Sequence, residues 1–315
     1  MLLAEVWPRS VSSPTKGEHV RIRIRRRRLM VPIAVFALTA AALGAPTTAS
    51  SEIDPLLPSL GLDQLLDIAN VEAPPAGVGL ELHIDFPTEN PLQIGDLEFT
   101  ALTAVINPDR SVETQSAIAA GSGDNAAEAE ECTDPAFLPT GRSWSAEDMP
   151  VVWRFRRGST PPENSIYRTQ GALREAHGVW PTSKSRCSDT DRIDFSYEFA
   201  GLTRKSVKYD NVNIVEFGPL GSGALAINYT WFSGTRILET DLRLNRTDYN
   251  WTNRRGGKKY QVVNVTAHEL GHQVGLDDLS DPHGGLTMFG RISRGEMKKT
   301  TLGTGDIRGA SRLSP

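Results

Sequence analysis

A segment with two histidines one helical turn apart constrains the fold of this chain more than any other feature. Apolar residues recur at spacings of three and four from residue 260 to residue 274, the repeat of a helix with one buried face. This apolar stripe consists of Tyr260, Val263, Ala267, Leu270 and Val274. His268 lies about 200° around the helix from Leu270, and His272 lies one turn beyond His268. We therefore expect both imidazoles to point away from the buried stripe and to face a cleft.

The spacing of these histidines is typical of a metal site. Two histidines at positions i and i+4 can bind one tetrahedral metal ion, and Glu269 between them projects beside it. There its carboxylate can take a proton from water that the metal activates. Zinc polarises a carbonyl and lowers the pKa of such water to about 7, which suits the hydrolysis of an amide. The alternative is a solvated helix face that carries two unrelated histidines.

Residues after the second histidine extend this pattern. Gly275 can adopt the left-handed conformation that ends a helix and turns the chain back toward the metal. Asp278 follows ten residues after His268, which gives the string H-E-x-x-H-x-x-G-x-x-D. Further along, the segment L-T-M-F-G contains Met288. The combination favours a metal site over chance, because H-E-x-x-H alone is only moderately specific.

These elements resemble the metzincin clan of zinc endopeptidases. The longer motif of that clan has a third ligand at the position of Asp278 and a Met-turn at the position of Met288. The segments E-T-D-L-R-L-N and T-L-G-T-G-D-I-R-G-A-S-R-L, residues 239–245 and 301–313, look like matrixins and their bacterial relatives. The resemblance covers residues 132–315, the expected metzincin catalytic domain.

The resemblance implies a role for each residue of the motif. His268, His272 and Asp278 would hold one catalytic zinc ion (Zn²⁺), and Glu269 would be the general base and then the general acid. Met288 would pack beneath the metal. Matrixins usually have histidine as the third ligand, and the snapalysin group of small secreted metzincins has aspartate there. Sites of two histidines and one carboxylate are catalytic in other zinc enzymes.

Other residues could take the place of Asp278 as the third ligand. Asp277 is its neighbour, and His283 comes five residues later. Glu296 would be the distant glutamate of a thermolysin-like enzyme, but the glycine and the methionine of the pattern argue against it. Calcium (Ca²⁺) is a second candidate cofactor, because acidic loop residues could supply oxygen ligands, although ordinary surface acids are the alternative. The acids considered for calcium are Asp210, Asp277 and Asp281.

The pattern along residues 132–315 predicts an α+β fold. A strand at 151–156 precedes a helical segment that starts near Ile166, and alternating runs at 193–199, 212–214, 225–231 and 238–244 follow. The resemblance implies a zincin-like, twisted five-stranded mixed sheet with two long helices and a short C-terminal helix. It also implies that residues 225–232 border the cleft and pair with a polypeptide substrate in extended form. The wall of the specificity pocket would come from residues 289–294.

The two cysteines, Cys132 and Cys187, have two interpretations. In an oxidising compartment two lone cysteines most simply form a disulfide. Matrixin prosegments instead carry a thiolate that caps the zinc, and Cys132 lies just before the expected catalytic domain. The segment E-C-T-D-P lacks the surrounding residues of that motif, so we favour the disulfide.

The N-terminal part of the chain predicts export. Residues 1–30 hold eight basic and two acidic residues, and an uncharged apolar run from residue 29 to about residue 45 follows. This run is shorter than the roughly 20 residues of a spanning helix, so we expect a signal peptide, residues 1–49, and no stable membrane insertion. Residues 50–131 form an N-terminal segment that ends in a small, acidic linker, 121–131. Its role is open: an inhibitory prosegment, an attachment region or a spacer.

The charge balance bears on the partners. The whole chain has a formal charge of −4, and residues 1–30 contribute +6, so the rest of the chain carries −10. An acidic body repels phosphate backbones, and we expect no nucleic-acid partner. The sequence therefore predicts a secreted, extracellular, monomeric zinc metalloendopeptidase. The alternatives are a non-catalytic zinc-containing module that binds peptide or cell wall, and another metal-dependent hydrolase on the same scaffold.

Overall fold

The structure, a computed structural model, describes residues 60–120, 130–187 and 192–315. These residues form an α+β fold with a mixed sheet and four α-helices, as the pattern predicts. The predicted signal peptide and residues 121–129 of the predicted linker lie outside the described residues. In the described part of the chain, no helix is both long enough and apolar enough to span a bilayer.

Two of the helices lie where the periodicity predicts them, the C-terminal helix lies where the resemblance implies one, and the helix nearest the N-terminus was not predicted. They are α1 (Leu62–Ala69), α2 (Ile166–His177), α3 (Val262–Val274) and α4 (Thr304–Leu313), with single 3₁₀ turns at Ala146–Asp148 and Lys298–Thr300. The prediction of two long helices was wrong, because α2 has 12 residues and α3 has 13. Helix α3 ends at Gly275, which adopts the predicted left-handed conformation with φ +106°. A residue with a side chain would be strained there.

The described strands fall into two groups along the chain. The first group is β1 (Gly79–Asp85), β2 (Leu92–Ile94), β3 (Leu97–Ile106) and β4 (Val112–Ala119). The second group is β5 (Leu138–Pro139), β6 (Val151–Arg156), β7 (Tyr197–Thr203), β8 (Asn213–Gly218), β9 (Ala226–Ser233), β10 (Arg236–Asn245), β11 (Trp251–Thr252), β12 (Tyr260–Gln261) and β13 (Leu276–Asp277).

Nine of the described strands form one mixed sheet, so the prediction of a five-stranded sheet was wrong. The order is β2-β3-β1-β9-β10-β8-β6-β7, and β4 pairs with the far edge of β3. Residues 151–245 supply five of these strands, and residues 79–119 supply the other four. The sheet is larger than expected because the N-terminal segment joins it through β1 and β9, which pair in antiparallel register from Gly79 opposite Phe232 to Asp85 opposite Ala226. Both edges of β9 are therefore occupied by strands of the same chain.

Strand β1 has two different faces. Its apolar side chains, Leu80, Leu82 and Ile84, belong to a buried cluster that includes Tyr229 and Trp231 of β9. Because successive side chains of a strand point to opposite faces, Glu81, His83 and Asp85 lie together on the other face. All three are almost completely buried. This polar face of β1 is directed toward helix α3, as the contacts of His83 and Asp85 with its histidines show.

Helix α3 is buried all the way round. Its predicted stripe residues Ala267, Leu270 and Val274 pack in a core with Trp180 and Met288. All 13 of its residues are buried, including both histidines. We expected the imidazoles to face a cleft, but they face His83 and Asp85 of β1. The difference arises because the N-terminal segment covers the side of the helix that the apolar stripe leaves free.

A disulfide joins Cys132 to Cys187, as predicted. It links the chain just before β5 to the loop after α2. Since the sulfur of Cys132 is bonded to that of Cys187, it is not a thiolate that could cap a metal. A disulfide is compatible with an extracellular location.

Candidate metal centre

The two histidines of α3 are oriented by backbone carbonyls. Nδ1 of His268 lies 2.7 Å from the carbonyl oxygen of Thr287, and Nδ1 of His272 lies 2.8 Å from that of Leu276. A carbonyl oxygen only accepts, so each Nδ1 carries a proton, and Nε2 is the ring nitrogen that could offer its lone pair to a metal ion. Both Nε2 atoms are buried without a hydrogen-bond partner. This is the tautomer and the orientation that a metal-binding histidine requires.

Asp278 meets both histidines, as the motif predicts. After α3 ends at Gly275 the chain reverses through β13, and Asp278 follows directly. Its Oδ1 lies 3.2 Å from Nε2 of His268, and its Oδ2 lies 3.8 Å from Nε2 of His272. The structure therefore brings together all three residues that the sequence proposes as metal ligands.

The alternative third ligands are engaged elsewhere. Asp277 accepts hydrogen bonds from Thr103 and Ser116 of the N-terminal segment. His283 lies 2.8 Å from a carboxylate oxygen of Asp134. Glu296 accepts a hydrogen bond from a backbone amide in its own loop. None of these three belongs to the groups of potential metal ligands in the described residues, which consist of His83, Asp85, His268, His272 and Asp278.

Asp85 and His83 of β1 are members of the site that the sequence reasoning missed. Oδ2 of Asp85 lies 3.1 Å from Nε2 of His268, closer than either oxygen of Asp278. The ring of His83 stacks on that of His272 with centroids 4.0 Å apart. A signal was present in the sequence, because Glu81, His83 and Asp85 alternate with the apolar residues Leu80, Leu82 and Ile84. Charged side chains on a buried strand face need groups of opposite charge or hydrogen-bond partners.

Several of the donor atoms lie at separations close to those found around a small tetrahedral ion. Ligand atoms roughly 2.0–2.1 Å from a central ion lie about 3.3–3.4 Å from one another at tetrahedral angles. The three separations between Nε2 atoms and carboxylate oxygens are 3.1, 3.2 and 3.8 Å. These buried histidine and aspartate groups can therefore hold a metal ion.

Three buried carboxyl groups lie close together in the site, an arrangement that a bound cation would stabilise. The carboxyl groups of Asp85, Glu269 and Asp278 are completely or almost completely buried, and no N–H or O–H group in the described residues donates to their oxygens. Burial and the charge of Asp85 raise the pKa of Asp278 to about 6 and that of Glu269 well above its ordinary value. A divalent ion would neutralise two of these charges and use the free lone pairs.

Met288 lies beneath the helix that carries the histidines. Its sulfur packs against Gly271, which lies between the two histidine turns, and a side chain at that glycine would collide with Met288 and Trp180. The backbone amides of Thr287 and Met288 donate to the buried carboxylate of Asp306 in α4. The turn that contains Met288 is thus fixed to both helices.

Lys299 supports the same turn from the other side. Its buried ammonium group donates to the carbonyl oxygens of Thr287 and Phe289 and lies 3.4 Å from Nδ1 of His268. The Thr287 carbonyl therefore accepts from both Lys299 and His268. The sequence analysis did not identify this lysine, because nothing in its local pattern distinguishes it from a surface residue.

Two further predictions concern the surroundings of the site. In the predicted pocket wall, Gly290 has no room for a side chain, because Ile118 of β4 and Asp278 lie against it. Of the acids considered for calcium, Asp281 pairs with Arg291, and Asp210 lies near two lysines. Calcium binding stays a prediction.

No protein-family model matches the chain.

Proposed function

We propose that this protein is a secreted zinc-dependent endopeptidase. The observation that carries the proposal is the position of Glu269, a buried carboxyl group without a protein donor, between two histidines whose lone pairs converge with Asp278. The resemblance to metzincins adds the choice of zinc and of a peptide bond as the target. The disulfide fits a protein that is folded outside the cell.

The residues divide into ligands and a proton carrier. His268, His272 and Asp278 would hold the zinc ion through two Nε2 atoms and a carboxylate. When bound, the ion would polarise the scissile carbonyl and make an attacking water molecule more acidic. The Thr287 and Leu276 carbonyls orient the histidines by accepting hydrogen bonds from Nδ1, which directs each Nε2 into the site.

Glu269 would move the proton in both halves of the reaction. One of its carboxylate oxygens accepts a proton as water attacks, and the same oxygen then gives that proton to the nitrogen of the leaving amine. The high pKa that burial and neighbouring carboxylates produce keeps Glu269 a strong enough base for the first transfer. Neutralisation by a cation would lower that pKa toward the working range.

The substrate we propose is a polypeptide in extended form beside β9. The antiparallel pairing of β1 with β9 supports this, because it has the hydrogen-bonding geometry that an added substrate strand would use. A substrate would need the edge that β1 now occupies.

A non-catalytic zinc module is the second candidate, and one observation favours it. Asp85 forms a group of potential ligands with His268 and His272, beside the group that contains Asp278, and so adds a further donor near the histidines. Structural zinc sites have four protein ligands, whereas catalytic sites keep one position open. Under this reading the cleft would bind peptide or cell wall without hydrolysing it.

Hydrolysis of a quenched-fluorescence peptide library and of casein tests the proposal, with the protein purified from culture medium and its N-terminus sequenced. Glu269→Gln should keep stoichiometric zinc but lose about 10²–10⁴-fold in activity, the usual contribution of a general base. His272→Ala should lose both zinc and activity, and 1,10-phenanthroline should abolish hydrolysis by the wild type.

Two results would contradict the proposal. Undiminished, phenanthroline-sensitive hydrolysis by Glu269→Gln would remove the role assigned to that residue. A zinc-loaded, intact wild type that hydrolyses neither casein nor any peptide of the library would favour the non-catalytic module.

A further inference from the structure

A cluster of basic residues lies on the loop that joins β11 to β12. Residues 253–259, N-R-R-G-G-K-K, include four basic residues and no acid. Gly256 and Gly257 both have a positive φ, and the basic residues on either side of them are exposed. The chain after residue 30 carries a net charge of −10, so this loop concentrates positive charge on an acidic body.

The cations of this loop lack the partners that other exposed cations of the protein have. Lys184 pairs with Glu175, and Arg236 pairs with Asp148. In the part of the chain that the structure describes, no ion pair involves a basic residue of the loop or the neighbouring Arg168 of α2. Unpaired basic groups on a surface attract an anionic partner and steer its approach.

The loop forms one wall of a pocket of about 460 Å³. This volume lies within the range of roughly 300–1,000 Å³ that is usual for ligand pockets. Arg254 and Lys259 of the loop and Arg168 of α2 bring three cationic side chains to its lining. The pocket and the loop together therefore form a continuous basic surface.

The same pocket also contains hydrogen-bond acceptors. The carboxylate of Glu163 lies in its lining and accepts from the backbone amide of Trp251 at 3.2 Å. Asn253 donates to Thr169 of α2, and its side-chain oxygen has no hydrogen-bond partner among the described residues. An acidic peptide suits this lining, because its carboxylates fit the cations and its backbone N–H groups can donate to the acceptors. A polyphosphate chain has no such donors.

The loop adjoins the segment that is predicted to form the specificity pocket. The amide of Gly295 donates to the carbonyl oxygen of Lys259 at 3.0 Å, and a side chain at Gly295 would collide with the carbonyl group of Gly257. The predicted pocket wall, residues 289–294, ends directly before Gly295, and α3 with the candidate ligands begins at Val262. A polypeptide bound at the candidate metal centre could thus extend to the basic surface.

We propose that this basic surface, formed by residues 253–259 and Arg168, docks an acidic segment of the polypeptide substrate outside the stretch that is cleaved. The inference rests on the proposed function for the cleavage of that polypeptide. Docking raises the effective concentration of acidic polypeptides at the metal centre and leaves the chemical step unchanged. It therefore selects substrates through KM and not through kcat.

Fluorescence anisotropy of a labelled oligoglutamate peptide, titrated with the intact protein, tests the docking without any turnover. The double variant Arg254→Glu with Lys259→Glu should weaken binding at least about tenfold, because two attractions become repulsions. Added salt should weaken binding to the wild type, since the contacts are exposed. The matched control is Arg204→Glu with Arg308→Glu, which changes the net charge equally at two exposed residues outside the loop. It should bind the peptide nearly as tightly as the wild type.

Hydrolysis gives a second readout. For a cleavable peptide extended by an oligoglutamate tail, KM should rise at least about tenfold in the loop variant while kcat stays the same. The same peptide without the tail should be cleaved equally by the wild type and the loop variant.

The proposal is overturned if the control variant loses as much affinity as the loop variant, or if the wild type binds oligoglutamine as tightly as oligoglutamate. Loop-dependent binding of inorganic polyphosphate or of phosphatidylglycerol vesicles that is tighter than that of oligoglutamate would assign the surface to another partner and overturn it as well. An absence of peptide hydrolysis in every protein would refute the endopeptidase, while the anisotropy still decides whether the surface binds an acidic peptide.

Discussion

Two clusters of buried charge lie in this sheet, and they differ in how their charges are satisfied. In one cluster, Glu216 accepts from Arg243 at 2.6 Å, from Arg156 at 2.8 Å and from Ser206 at 3.0 Å. Arg243 also donates to the carbonyl oxygens of Ala69 and Asn70. The candidate metal site is the opposite, because the facing atoms of Asp85, His268, Glu269, His272 and Asp278 have no hydrogen-bond donor among the residues that the structure describes.

The difference separates structural charges from functional ones. Buried charges that only support a fold are paired, since an unpaired charge in the interior costs several kcal/mol. A set of buried acceptors without donors implies a partner from outside the chain. The contrast indicates that the buried histidine and aspartate groups could hold a metal ion.

The largest expected effect is the loss of a metal ligand. Asp278→Ala should lower zinc affinity at least about 100-fold, because it removes an inner ligand and the loss of an outer partner alone costs 10–100-fold. Competition with a chromophoric chelator measures the change. His283→Ala is the control for the rejected ligand and should leave the affinity unchanged. Equal losses in the two variants would break the assignment.

In the paired cluster, removal of one partner should destabilise the fold. Arg243→Met leaves Glu216 buried with fewer donors and should lower the free energy of unfolding by about 3–5 kcal/mol in urea titrations. The double variant Arg243→Met with Glu216→Leu should recover much of that loss, because both charges are gone. A double variant no more stable than the single one would show that packing dominates the effect.

The unpaired cluster predicts a reversal of stability with zinc. Without metal, Asp278→Asn should be more stable than the wild type by roughly 1–3 kcal/mol, since it removes one of three crowded carboxylates and adds a donor. With zinc in excess, the wild type should be the more stable, because only it gains the full binding energy. Thermal melts in chelator and in zinc measure both differences. The same order under both conditions would mean that no metal is bound there.

Glu239 is an intermediate case and gives the smallest effect. It accepts from the amides of Asp210 and Asn211, and burial raises its pKa to about 7. The folded state therefore favours the protonated form, and the stability that Glu239 contributes is present below pH 4.5 and lost as the pH rises to about 7. Zinc-loaded Glu239→Gln should show a flatter dependence of unfolding free energy on pH in this window, by at most about 1.4 kcal/mol per pH unit. The same dependence of unfolding free energy on pH in the wild type and in Glu239→Gln would contradict the raised pKa of Glu239.

Local spacing was sufficient for the parts of the fold that depend on neighbours in sequence. The helical repeat predicted α3, Gly275 predicted where that helix ends, and the motif predicted that Asp278 lies beside the histidines. The pattern predicted the strand Val151–Arg156 with its observed bounds. The prediction of a strand was wrong at residues 193–196. These residues are partly buried, but the strand β7 begins only at Tyr197. Alternation reports burial of one face, and a buried loop can show it too.

Pairing between distant segments could not be predicted from the sequence. Strand β1 meets β9 across more than half of the described chain, and no local pattern specifies that register. For this reason the sheet was predicted with five strands, and His83 and Asp85 were absent from the predicted site. Lys299 was missed for the same reason, because its burial depends on the fold around the Met288 turn and not on its sequence neighbours.

X-ray absorption at the zinc edge, on the purified intact protein, tests the central claim most directly. The account predicts one zinc per chain, about four nitrogen or oxygen ligands at roughly 2.0–2.1 Å, and outer-shell scattering from two imidazoles. A chain that binds no zinc, or a zinc with sulfur ligands or without imidazole scattering, would contradict it.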